Sequence, residues 1–294
     1  MLLGSCFAEN MGKKFAYFKF QATTNPFGII FNAVSLEKLI RRAVENRTFT
    51  ENDIFFHNDL WHCYEVHSEL SNSDKDAFLE SLNDIIRSTN KQLNDSTHII
   101  ITLGTSWVYR NIETNEIVAN CHKVPQKQFT KEFLSIHQTE ESLQSIISLI
   151  HSVNPNCNFI FTVSPVRHIK DGFTENTLSK AHLIAAIHKT ITNHKSHITY
   201  FPSYEIMMDE LRDYRFYAED MLHPNALAID YIWEQLTSVY CTELTHSIMK
   251  EIDSIQKGLA HRPFNPTTQS HQSFLEQLNS KIQEIKKQLP HLNF

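Results

Sequence analysis

An α/β fold, with a mostly parallel central sheet and helices on both of its faces, is predicted by three observations. His98–Leu103 is a continuous β-branched run without polar alternation, the pattern of a strand buried on both faces, and Asn158–Val163 reads as another buried strand. Segments of helical apolar periodicity separate such runs, so strand and helix alternate along the chain. Ser5, Gly104 and Ser164 each follow a strand run directly, which gathers them at the carboxyl edge of a parallel sheet, where such folds bind ligands.

Only Met1, Leu2 and Leu3 precede Gly4, fewer than the ~5–6 residues of a usual strand. Either the first strand is very short or the chain continues upstream. Residues 8–18 read as a helix leading out of the turn at Ser5. Residues 35–46 show helical spacing, with Ser35 as N-cap ahead of Leu36, Leu39, Ile40, Ala43 and Val44. Residues 54–57, the pair Asn58-Asp59 and residues 60–66 suggest a hairpin. A helix over 74–93 follows Ser73. A second hairpin is expected at 107–121, turning near Glu113-Thr114-Asn115-Glu116. Further helices are expected at 140–152 and 175–195, a last strand at Ile198–Phe201, and helices at 204–212 and 225–240.

Past residue 240 the character changes. Gly258, Pro263 and Pro266 mark a connector over 258–270, after which Leu275, Leu278, Ile282, Ile285 and Leu289 repeat at heptad spacing for about two heptads. Such a stretch reads as a terminal helix docked on the body, with a homodimer seam as the alternative. The expected division is residues 1–240 as the body and 241–294 as a helical extension.

Composition narrows the function classes. At 41% hydrophobic and 20% charged residues the chain is of ordinary globular make-up. No apolar run approaches the ~18–20 residues of a membrane helix, and no signal-peptide pattern opens the chain. A net charge of −6 without a basic block argues against nucleic acid and anionic membrane as partners. Five scattered cysteines without a C-x-x-C pair point to reduced thiols and a cytoplasmic setting. His57, His62 and His67 crowd one hairpin, and His188, His194 and His197 a helix end, but neither set has a recognised ligand spacing, so no metal is expected. No glycine-rich phosphate loop occurs, and no cofactor is implied.

The chemistry-bearing residues lie at the two ends of this body. Ser5 sits where a strand turns into a helix. Asp220 and His223, three residues apart, can share one loop, and Pro224 fits the first position of the following helix. These supply a nucleophile, a base and the carboxylate that orients it. Cys6 is the competing nucleophile. Taken singly, each has a plainer reading: a helix cap for Ser5, a packing thiol for Cys6, a solvated loop carboxylate for Asp220.

Gly4-Ser5-Cys6-Phe7-Ala8-Glu9-Asn10 resembles the signature of the GSCFA family, an offshoot of the SGNH (GDSL-like) hydrolases. Asn25-Pro26-Phe27-Gly28, Leu103-Gly104-Thr105-Ser106-Trp107, Val163-Ser164-Pro165-Val166-Arg167 and Asp220-x-x-His223-Pro224 resemble that family's other blocks, in order, over roughly residues 1–240. The resemblance implies a three-layer α/β/α fold of the SGNH/flavodoxin-like kind and a serine esterase acting on an O-acyl ester, such as an acetyl group, of a carbohydrate or small molecule. It places the nucleophile at Ser5, the base at His223 and the orienting acid at Asp220. The amides of Ser5 and Gly28 would form the oxyanion hole. The superfamily's G-x-N-D asparagine is missing from Gly104-Thr105-Ser106-Trp107, which leaves the Thr105 or Ser106 hydroxyl as a third donor, with Asn32 a further possibility. Trp107, Arg167 and His168 are candidate substrate contacts; for Arg167 an ion pair with an acidic residue is the equal alternative. The same site would serve an O-acyltransferase, and without a working oxyanion hole it would be a ligand-binding module.

Overall fold

The computed structural model describes residues 1–193 and 197–294. Residues 194–195 of the predicted helix, and His194, lie outside the described residues. In chain order the elements begin with β1 (Leu2–Gly4), α1 (Cys6–Tyr17), α2 (Ala33–Val44), β2 (Phe55–His57), β3 (Leu60–His62), α3 (Lys75–Asp95) and β4 (His98–Leu103). There follow β5 (Trp107–Asn111), β6 (Ile117–Val118), β7 (Phe129–Phe133), α4 (Ile136–Val153), β8 (Asn158–Val163), α5 (Phe173–Asn193) and β9 (Ile198–Phe201). The single turn α6 (Ser203–Glu205) widens into a π-turn over Ile206–Leu211, before α7 (Ala226–Tyr240), α8 (Glu243–Ala260) and α9 (Gln269–Gln288). These fall into two compact units, Met1–Asn10 with Thr23–Ile232, and Met11–Ala22 with Trp233–Phe294.

In the first unit a parallel sheet runs in the order β1-β4-β8-β9. Its register aligns Leu3 with Ile101, Ile101 with Phe161 and Phe161 with Tyr200. Those side chains form one core with Leu39 and Ile40 of α2, Phe78 and Leu82 of α3, Ile146 and Ile150 of α4, and Leu183 and Ile187 of α5. The opposite parity (Leu2, Ile100, Ile160) is buried too, and there Thr162 Oγ1 lies 2.7 Å from Ser203 Oγ of α6. Helices thus flank both faces of the sheet. Coverage on both sides is why the strand sequences show no polar alternation.

The far edge of β1 carries the feature that positions the site. Leu2 N–H donates to the Thr23 carbonyl (2.8 Å) and Asn25 N–H to the Leu2 carbonyl (2.9 Å), a parallel bridge on the side away from β4. The connections therefore leave β1 in opposite directions, and its carboxyl end is a topological switch point, the place where open α/β sheets form a crevice. Gly4 ends the strand at φ +130°, and a Cβ there would lie 2.1 Å from the Thr102 carbonyl oxygen. Gly4→Ala is accordingly expected to destabilise the fold by at least ~3 kcal/mol in urea unfolding, since both the backbone conformation and the close approach exclude a side chain. A loss below ~1 kcal/mol would contradict this packing of β1 on β4.

Several elements differ in detail from the sequence reading. Asn32, not Ser35, caps α2: its Oδ1 accepts from Ser35 N–H at 2.8 Å, which moves the helix start forward. The first hairpin forms as β2 and β3 around Asn58 (φ +47°) and Asp59 (φ +61°), a turn whose twist suits paired strands. Its second strand ends at His62, because Cys63 opens a turn closed by Val66 N–H on the Cys63 carbonyl (3.2 Å). The second hairpin has a third strand, β7, on the other side of β5. Its segment Phe129-Thr130-Lys131-Glu132-Phe133 carries no strong period without its partner.

The second unit has its own small core. Ile252 and Ile255 of α8 meet Leu278, Ile282 and Ile285 of α9, with Phe18 packed against them. The heptad face of α9 is thus filled within its own unit, apart from the half-exposed Leu275. Tyr17 donates its hydroxyl to Asp253 (2.9 Å). No helix among the described residues is long and apolar enough to cross a membrane.

Candidate functional site

The carboxyl ends of β4 and β8 are drawn together by a residue that sequence reasoning missed. Lys180 of α5 is fully buried and donates from Nζ to the carbonyls of Gly104 and Ser164, both at 2.7 Å. Its ammonium also lies over the Tyr204 ring at 5.5 Å and senses Cys6 electrostatically. Burial pushes this amine down to about 7, with Cys6 the opposing influence. A signal was available: Lys180 shares the apolar face of its helix with Leu183 and Ile187, at a spacing where a lysine is unexpected.

Ser5 occupies the switch point as the cap of α1. Its Oγ accepts from Phe7 N–H at 3.3 Å and has no hydrogen bond to His223 among the described residues. It is only 1% exposed. Beside it, burial and then Glu9 raise the Cys6 thiol above its ordinary value, so Cys6 is protonated at neutral pH and the poorer nucleophile.

Asp220 and His223 meet directly. Asp220 Oδ2 lies 2.6 Å from His223 Nδ1, while Oδ1 accepts from Leu222 N–H (2.8 Å) and His223 N–H (3.0 Å). The two backbone donors, and then the imidazole, bring the Asp220 carboxyl down to about 2. The loop is anchored by Ala218 N–H on the His223 carbonyl (2.7 Å) and Arg167 N–H on the Leu222 carbonyl (3.1 Å). At its tip Met221 has φ +59°, a strained conformation for a non-glycine residue. Pro224 is not the first residue of the next helix. Asn225 follows it and caps α7, its Oδ1 accepting from Ala228 N–H (3.1 Å).

His168 links this loop to the sheet edge. Its Nε2 is 3.4 Å from where a Cβ on Gly104 would stand. Burial first, then the charges of Lys180 and His223, push its imidazole down to about 3, against a smaller pull from Asp171. It is a neutral ring whose buried Nε2 has no partner among the described residues.

The expected oxyanion donors are mostly occupied. Ser5 N–H donates to the Thr102 carbonyl (3.0 Å), and Gly28 N–H closes a turn on the Asn25 carbonyl (2.8 Å). Gly28 is there for another reason: φ is +74°, and a Cβ would lie 2.3 Å from the Cβ of His67. Ser106 gives its hydroxyl proton to the Ser179 carbonyl (3.0 Å). Thr105 Oγ1 accepts from Trp107 N–H (3.1 Å) and lies 2.9 Å from Ser179 Oγ, so the Thr105 hydroxyl proton is released whenever Ser179 is the donor between them. Asn32 differs: its Oδ1 caps α2, but its buried Nδ2 has no partner among the described residues. It follows a stretch held on one side by Ile30 N–H to the Gly4 carbonyl (3.0 Å) and on the other by Gly104 N–H to the Phe31 carbonyl (2.8 Å). Trp107 packs within the small sheet, 4.6 Å from the Phe133 ring and under Lys131. Among the described residues no group of three His, Cys, Asp or Glu is placed to hold a metal ion.

A family model described as the GSCFA family matches residues 1–236. The chain belongs to the GSCFA family. That GSCFA match takes in the whole parallel sheet and every residue of the cluster around Ser5, Lys180, Asp220 and His223. A second model, the C-terminal domain of GSCFA domain proteins, matches residues 252–294, which include Ile252, Ile255 and all of α9. No curated protein matches this GSCFA chain.

Proposed function

We propose that this chain is a serine-dependent acyl-ester hydrolase of SGNH type, acting on an O-acyl group of a carbohydrate or small molecule. The observation that carries the reading is the Asp220–His223 pair. A carboxylate bound at Nδ1 holds the imidazole in the tautomer whose Nε2 is free to accept a proton. Ser5, at the switch point of the same unit, is the nucleophile. Its hydroxyl adds to the ester carbonyl as His223 takes the proton. The tetrahedral oxyanion collapses to an acyl-enzyme as His223 protonates the leaving alcohol, and water repeats the sequence to free the acid. Asn32 Nδ2, with the Thr105 hydroxyl, takes the oxyanion role that Gly28 and Ser106 do not have free. In this reading Ser5 Oγ must come within hydrogen-bond reach of His223 Nε2, a contact that apo sites often lack.

A second reading, a non-catalytic binding module, is favoured by the occupied amides of Ser5 and Gly28 and by the buried Ser5 hydroxyl. One experiment separates the two. The purified chain and its Ser5→Ala variant are incubated with a fluorescent fluorophosphonate and with 4-nitrophenyl acetate. Labelling and turnover in the wild type, both lost in Ser5→Ala, are the expected result. A folded wild type that neither labels nor turns over would favour the binding module.

A further inference from the structure

Arg167 is a cation without an anion. No carboxylate pairs with it among the described residues, and among them its side chain donates one hydrogen bond, from Nη1 to the Met221 carbonyl (3.3 Å). A guanidinium has five N–H donors, so most of its capacity is open. Three rings hold it in place: its central carbon lies 5.3 Å from the Tyr217 ring centre, 5.4 Å from Phe173 and 5.6 Å from Tyr214. Aromatic faces fix the plane of the guanidinium and leave its edge for a two-pronged acceptor.

Beside it is a cavity of about 310 Å³ lined by Arg167, Ile169, Phe173, Tyr214 and Met221. That is near the small end of the range for small-molecule sites. Phe173, Tyr214 and Met221 stand 65%, 58% and 49% exposed, an uncovered apolar surface around a single charge. The hydroxyl of Tyr217, whose ring Arg167 faces, is buried without a partner among the described residues, although Tyr217 does not line the cavity. Met221 belongs to the loop that carries Asp220 and His223, so one wall of the cavity is formed by the loop that holds the imidazole, although His223 itself does not line it. A purely structural Arg167 would need only its bond to Met221, not the cavity or the exposed rings.

We propose that Arg167 and this cavity bind an anionic group, a carboxylate or phosphate carried on an apolar body, and that the substrate of the Asp220–His223 site is therefore an anionic ester. The substrate part rests on the hydrolase reading above; the anion site does not. The 15N-labelled chain of 294 residues is titrated with benzoate, phenyl phosphate and the neutral isostere benzamide, following the Arg167 Nε–H resonance. Benzoate or phenyl phosphate should shift that resonance saturably, with benzamide about tenfold weaker or worse, and whichever anion binds more tightly names the group. Arg167→Gln should abolish the preference and Arg167→Lys should keep part of it. Equal binding of benzoate and benzamide in the wild type, or no saturable shift at Arg167, overturns the anion site whether or not the variants fold.

Turnover tests the substrate class. Wild type should prefer 4-nitrophenyl hydrogen glutarate over 4-nitrophenyl pentanoate by about tenfold in kcat/KM, and Arg167→Gln should level the two. Equal kcat/KM in the wild type overturns the anionic-ester assignment. An anion preference at Arg167 in a chain that fluorophosphonate never labels at Ser5 leaves the anion site standing and refutes the hydrolase reading alone.

Discussion

Asp220→Asn is expected to lower kcat for ester hydrolysis about 10⁴-fold while leaving the fold intact. The Asp220 carboxylate makes three bonds. Oδ1 accepts from the backbone N–H groups of Leu222 and His223, and an asparagine carbonyl oxygen makes the same two bonds, so the loop keeps its shape. Oδ2 faces His223 Nδ1 at 2.6 Å, and there the substitution places an amide donor. A donor at Nδ1 forces the imidazole proton onto Nε2, and the base that should take the Ser5 proton is already protonated. Thermal unfolding within a few degrees of wild type, with turnover nearly gone, would show that the loss is chemical. A fall of less than tenfold would remove Asp220 from the mechanism.

Lys180→Met is expected to change how stability depends on pH. In the folded chain burial holds the Lys180 amine at about 7, against 10.5 when exposed. Between those values the unfolded chain binds a proton that the folded chain lacks, so this residue makes the native state gain stability as pH rises through 7. One such proton corresponds to a limiting slope of ~1.4 kcal/mol per pH unit. The comparison is best confined to pH 7–8.5, because thiols held protonated in the fold, such as Cys63 and Cys121, act in the opposite direction at higher pH. Over that window the urea-unfolding free energy of wild type should rise by about 1–2 kcal/mol relative to Lys180→Met. Parallel pH profiles would mean that Lys180 keeps its charge in the fold. The variant also removes the donor shared by the Gly104 and Ser164 carbonyls, so the sheet edge near Ser5 should loosen and turnover should fall with it.

The sheet was legible because its signals are local. β4 and β8 lack polar alternation, β9 is a short strand where one was expected, and the residues after β1, β4 and β8 do gather at one edge. The Asn58-Asp59 turn was legible for the same reason, since two residues that tolerate positive φ between apolar runs specify a hairpin. The cap of α2 was misplaced by a few residues because Ser35 and Asn32 are both good caps, and only the folded backbone decides between them. β7 was missed because its pairing with β5 is non-local and its own pattern is weak.

By itself the sequence determined the alternation of strands and helices, the position of Ser5 at a strand-to-helix turn, and the Asp220–His223 spacing that lets one loop hold both. Each follows from propensities and intervals within a few residues. Tertiary structure alone decided what each polar group is bonded to. It turned the Gly28 and Ser5 amides inward onto carbonyls and, among the described residues, left Asn32 Nδ2 without a partner and Arg167 among three rings without a carboxylate. It also placed Lys180 under the ends of two strands from a helix late in the chain. Hydrogen-bond partners and local dielectric are set by segments far apart in sequence, so no window of residues contains them.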